Sequence, residues 1–121
     1  MKILIKEGVV KKMVNRVLGF DLTDRIEMIT SWDELGRIEQ RELYSDNESL
    51  CNYNLNNHGP MYFLSLNDKR YILQYRYGDW VIYGRNNFRY NSMTEEMFLD
   101  DIGLGFMGIK LQQIIDEFVE E

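Results

Sequence analysis

The chain has 121 residues, one cysteine and a formal net charge of −6; that length suits a single domain, 1–121, able to bury its own core, and a lone thiol excludes an internal disulfide. No apolar run approaches a membrane span, and Lys6 and Glu7 interrupt the first one well short of a signal-peptide core, so the cytoplasm is the expected location. The charge is sorted by sign, +4 over 1–20, −6 over 21–50, +3 over 51–92 and −7 over 93–121, and nine of the sixteen aromatic residues fall between Tyr62 and Tyr90; such sorting selects partners, whereas a well-mixed surface mainly confers solubility.

Residues 1–6 alternate around Ile3 and Ile5 as a strand does. Val9, Val10, Met13, Val14 and Val17 then recur at helical spacing, with Gly19 placed to end the helix. A short strand is expected over 25–30. Ser31 and Glu34 are spaced as a capping box, which predicts a helix starting there and fading near Tyr44. The Asn-, Ser- and Asp-rich segment 45–59 reads as a loop.

Over 61–91 the pattern is a β-meander with turn signals at Asn67-Asp68, Gly78-Asp79 and Asn86-Asn87. A two-residue turn at Gly78-Asp79 pairs Tyr77 with Trp80, Tyr75 with Ile82 and Leu73 with Gly84. That register puts Tyr62, Leu64, Leu66, Tyr71, Leu73, Tyr75, Trp80 and Ile82 on a core face. The opposite face carries Met61, Phe63, Arg70, Ile72, Gln74, Arg76, Val81 and Tyr83, a mixture that needs partial cover. Ser92 and Glu95 form a second capping-box spacing ahead of a short helix through Asp101, and Leu111, Ile114, Ile115 and Phe118 make the apolar stripe of a last helix. The expected class is α+β, an antiparallel sheet with helices before and after it.

Residues 103–108 spell G-x-G-x-x-G, a spacing that in a βαβ unit brings backbone N–H groups to a pyrophosphate. Here a helix precedes it and Asp100 and Asp101 would repel phosphate, so a helix-to-helix hinge is the reading. Cys51 and His58 share a loop seven residues apart, and the adjacent acids Asp33/Glu34, Glu95/Glu96 and Asp100/Asp101 point about 100° apart on a helix and share no proton. No catalytic set, metal-ligand spacing or cofactor motif emerges.

Two surfaces invite a partner. Asp100 and Asp101 close one expected helix and Asp116, Glu117, Glu120 and Glu121 the next, where a helix C-terminus disfavours acids by about 0.3–1 kcal/mol each; Asp100, Asp101, Asp116 and Glu117, with Glu95 and Glu96, form a candidate contact set for a protein with a basic surface, presenting charge as a nucleic-acid backbone does. Alternatively, Arg70, Arg76, Tyr83, Arg85 and Arg89 resemble in kind a surface for single-stranded nucleic acid, although a pI near 4.8 sets the overall field against free nucleic acid. Alanine is absent while asparagine occurs ten times, which points to an AT-rich coding sequence of bacterial or phage type. The expectation is a small acidic antagonist of a basic nucleic-acid-processing enzyme or toxin. A single-strand binder is the first alternative and an enzyme with an unrecognised site the second; a homodimer through the less covered sheet face would compete with either contact surface.

Overall fold

The computed structural model describes residues 9–36, 58–66, 69–86 and 89–119. Five strands, β1 (Ile26–Ile29), β2 (Met61–Leu66), β3 (Lys69–Arg76), β4 (Asp79–Asn86) and β5 (Arg89–Met93), form one antiparallel sheet in chain order. Helix α1 (Val9–Leu18) precedes the sheet, and α2 (Glu95–Asp101) and α3 (Leu111–Phe118) follow it, giving the α+β class the pattern implies. The expected strand at 1–6, the 37–44 part of the helix expected from Ser31, and most of the loop at 45–59, with Cys51, lie outside the described residues. No helix among those described is long and apolar enough to cross a membrane.

Helix α1 buries Val10 and Val14 and ends at Gly19, whose φ of 82° and N–H bond to the Asn15 carbonyl, 2.9 Å, make the left-handed cap that glycine allows. The stripe of α3 is buried as its spacing requires, at Leu111, Ile114, Ile115 and Phe118. Together the helices cover one sheet face, on which Tyr62, Leu64, Leu66, Tyr71, Leu73 and Ile82 join their apolar residues in the main core. Tyr75, expected in that core, is 47% exposed: it sits beside the β3–β4 turn in a T-shaped contact with Trp80, at 5.3 Å between ring centroids.

The other face is not open either. Met61, Phe63, Ile72, Tyr83 and Tyr90 pack with Ile29 and Leu35 in a second core, so β2 reads as an apolar run rather than an alternation. Gln74, 1% exposed, is satisfied there, donating to the Gly59 carbonyl at 2.8 Å and accepting from Arg76 Nε at 2.6 Å.

Four local expectations need correction. The β3–β4 turn is Tyr77-Gly78, not Gly78-Asp79, because Tyr75 pairs with Trp80 and Leu73 with Ile82. Both turn residues have positive φ, 52° and 80°, the geometry of a type I′ reversal, which matches strand twist. Likewise Asn86, expected in the next turn, still belongs to β4 and pairs with Arg89, so the strand runs one residue further than expected. The capping box at Ser31 is present, with the Glu34 carboxylate accepting from the Ser31 and Thr30 N–H groups, yet it closes only a single 3-10 turn, Trp32–Glu34. Leu35 then turns extended, φ −91° and ψ 144°, and buries its side chain in the second core. Finally, Ser92 does not cap α2. It stays in β5 opposite Tyr83, and the Thr94 hydroxyl instead takes the Met97 N–H at 3.1 Å.

Candidate functional site

Helix α2 is seven residues long, and its position decides what each acid can do. Phe98 and Leu99 face the core, with Phe98 edge-on to Tyr71 at 5.1 Å between centroids. The helix stops in a Schellman motif: the Leu104 N–H bonds the Leu99 carbonyl at 2.8 Å, and that of Gly103, φ 84°, bonds the Asp100 carbonyl at 3.1 Å. Leu104 and Leu99 are buried in the same core, which supplies the apolar contact of that motif. Gly108 is also left-handed, φ 67°, after a 3-10 turn at Gly105–Met107. The three glycines thus turn the chain from α2 into α3, and the helix before them takes the place a nucleotide-binding motif gives to a strand.

The six acids singled out from the sequence have separate fates. Glu95 Oε2 accepts from the Leu111 N–H at 3.5 Å, at the start of α3, and Glu117 Oε1 accepts from the Lys11 N–H at 3.4 Å, in the first turn of α1. Both carboxylates therefore neutralise helix N-termini, where backbone N–H groups lack partners and negative charge is favourable. Asp116 accepts from Gln112 Nε2, one turn earlier, at 2.9 Å. Asp101 receives the Tyr71 hydroxyl on one oxygen and Lys69 Nζ, 3.1 Å away, on the other. The Tyr71 hydrogen bond, with Lys69 behind it, holds the Asp101 carboxyl below its ordinary range, while burial and the same bond push the Tyr71 phenol up.

Glu96 and Asp100 remain. They lie four residues apart on α2, exposed, and neither has a hydrogen bond or ion pair among the described residues. They border a cleft of about 260 Å³ shared with Glu95, Leu99, Gly105 and Lys110. Asp100 lies directly over Gly105, so close that a Cβ there would fall 1.7 Å from its Oδ1. The next residue, Phe106, is 79% exposed, and Met97 is 56% exposed. Phe106 escaped notice in the sequence because the glycines around it drew attention to phosphate chemistry rather than to the side chain they display.

The basic set is dispersed differently. Arg70 and Arg85 are cross-strand neighbours whose guanidinium groups lie over Phe63 and Tyr90, 5.3 Å and 5.7 Å from the ring centroids. Arg76 bonds Gln74, and Arg89 pairs with Asn86 at the start of β5. Tyr83 is 6% exposed within the second core, so it cannot stack on a base without opening that core. His58 meets the Tyr77 ring at 4.8 Å. Among the described residues no group of three or more His, Cys, Asp or Glu side chains is placed to hold a metal ion. Scans of protein-family models, of curated proteins and of solved structures found no match to this chain.

Proposed function

We propose that this protein works by contact, engaging a basic surface on another protein through one flank of α2 and the turn after it. The observation that carries this reading is the pairing of two unneutralised carboxylates, Glu96 and Asp100, with the exposed ring of Phe106. Aromatic anchors flanked by charge are what contact surfaces concentrate, with the ring supplying buried area and the charges orientation and speed of encounter. A partner whose own function is to hold a phosphate backbone would offer the required Lys and Arg groups, so blocking a nucleic-acid-processing enzyme or a toxin is the biological role that fits. The contact set is narrower than the sequence suggests: Glu95, Asp101 and Glu117 already serve this chain's own helices and sheet.

Affinity capture from the native host, followed by measurement of binding to the captured basic protein, tests the reading. Phe106→Ala should weaken the complex by about 2 kcal/mol, the Glu96→Lys/Asp100→Lys pair should abolish it, and added salt should loosen it. A captured partner that binds the charge-reversed pair as tightly as the original protein removes the proposal.

A further inference from the structure

On the other flank of α2 lies a cleft of about 550 Å³, within the range of small-molecule sites. Its wall is apolar, formed by Val17 and Leu18 of α1 with Phe20, Leu66 and Ile102. Its polar floor is the group already described, Tyr71, Asp101 and Lys69. The parts of that floor differ in rigidity. Tyr71 is 2% exposed and clamped by Phe98, so its hydroxyl fixes one oxygen of Asp101. Lys69 holds the other oxygen from a side chain 47% exposed, in an ion pair of the kind worth at most about 1 kcal/mol.

We propose that this cleft binds a small organic amine, whose ammonium group replaces Lys69 on Asp101 while its apolar body lies along Val17, Leu18, Phe20 and Leu66. The charge of the site decides for a cation. Asp101 is the last residue of α2, where the helix carbonyls add negative potential. An anion would have to strip Lys69 from Asp101 and then sit against that carboxylate. The Tyr71 O–H, the other donor in reach, is already committed. A neutral alcohol would gain the apolar wall but no charge pairing, and so would bind more weakly. Lys69 then acts as a built-in competitor, occupying the ammonium position until a ligand with a better-packed body displaces it. The cleft and the contact surface proposed above use opposite sides of α2, so either can fail without the other.

The test titrates hexylamine, hexan-1-ol and hexanoate at neutral pH and follows backbone amide shifts by NMR. Hexylammonium should perturb Ile102 and Gly103 and bind at least tenfold more tightly than hexan-1-ol or hexanoate. Asp101→Asn should eliminate this binding, Lys69→Met should tighten it several-fold, and the Glu96→Lys/Asp100→Lys pair should leave it within twofold. Lys69→Met keeps the test decisive if Asp101→Asn does not fold, because the half-exposed Lys69 side chain gives up only a surface ion pair. The proposal is overturned by hexanoate binding as well as the amine, by Lys69→Met weakening the amine, or by no shift at Ile102 and Gly103 at millimolar hexylamine.

Discussion

Asp100 and Asp101 are chemically identical neighbours, yet the two flanks of α2 treat them differently. Asp101 turns toward the sheet, where a buried phenol and a lysine on β3 neutralise it. Asp100 turns toward the glycine hinge, where it makes no hydrogen bond or ion pair among the described residues, and Glu96 one turn earlier shares that condition. One flank is thus fastened to the fold and the other is left at a local cost, since like charges four apart and a negative charge at a helix C-terminus both disfavour the helix. The difference teaches that an acidic sequence block is not one feature: what each carboxylate does depends on which backbone donors or cations the fold brings within 3–4 Å.

The comparison breaks first if α2 is not seated by Phe98. Replacing this 1% exposed side chain with alanine should cost about 3–5 kcal/mol in urea denaturation, whereas Met97→Ala next to it should change stability by about 0.5 kcal/mol or less. Equal losses would mean that the helix is rotated from the position described. A smaller effect is expected at the fastened flank, where Tyr71→Phe removes only the hydroxyl that Asp101 accepts and should cost about 1–2 kcal/mol.

Titration sharpens the same point. A carboxyl held below its ordinary range adds stability above the unfolded-state value, near pH 4, and loses that contribution as pH falls through the lower folded value. The stability difference between the wild type and Asp101→Asn should therefore stay level from pH 7 to about 5 and shrink below about 4, measured as paired urea midpoints. A difference that grows toward acid pH would reverse the assignment. The smallest effect has the opposite sign: Glu96→Gln with Asp100→Asn should raise stability by a few tenths of a kcal/mol, by removing an i,i+4 repulsion, while partner binding falls. A loss of stability in that double variant would show that these acids are structural after all.

Some of this was legible in one dimension and some was not. The meander, the stripe of α3 and the Gly19 cap follow from periods and side-chain conformational limits that hold in any context. The β3–β4 register was misjudged by two positions, since Gly78 can occupy either central position of a tight turn; because side chains alternate with period two, a shift of two still kept Leu73 and Ile82 on the core face. The helix expected from Ser31 does not begin there, for another reason, and its 37–44 part lies outside the described residues. A capping box specifies how a turn starts, and burial of Leu35 in the second core decides that it stops. Ser92 fits a capping box by spacing, yet pairing with Tyr83 retains it in β5 and hands the cap to Thr94.

By itself the sequence determined the class of the fold, the blocks of charge and the reversal between the last two helices, because these rest on local periodicity, on glycine's freedom at positive φ and on composition. Only the tertiary structure decided which acids stay exposed, that Tyr83 is sealed in a second core, and that Phe106 stands in solvent beside Asp100. Those outcomes depend on distances between segments far apart in the chain, as when Lys69 and Tyr71 reach Asp101 across some thirty residues, and no local pattern records such a distance.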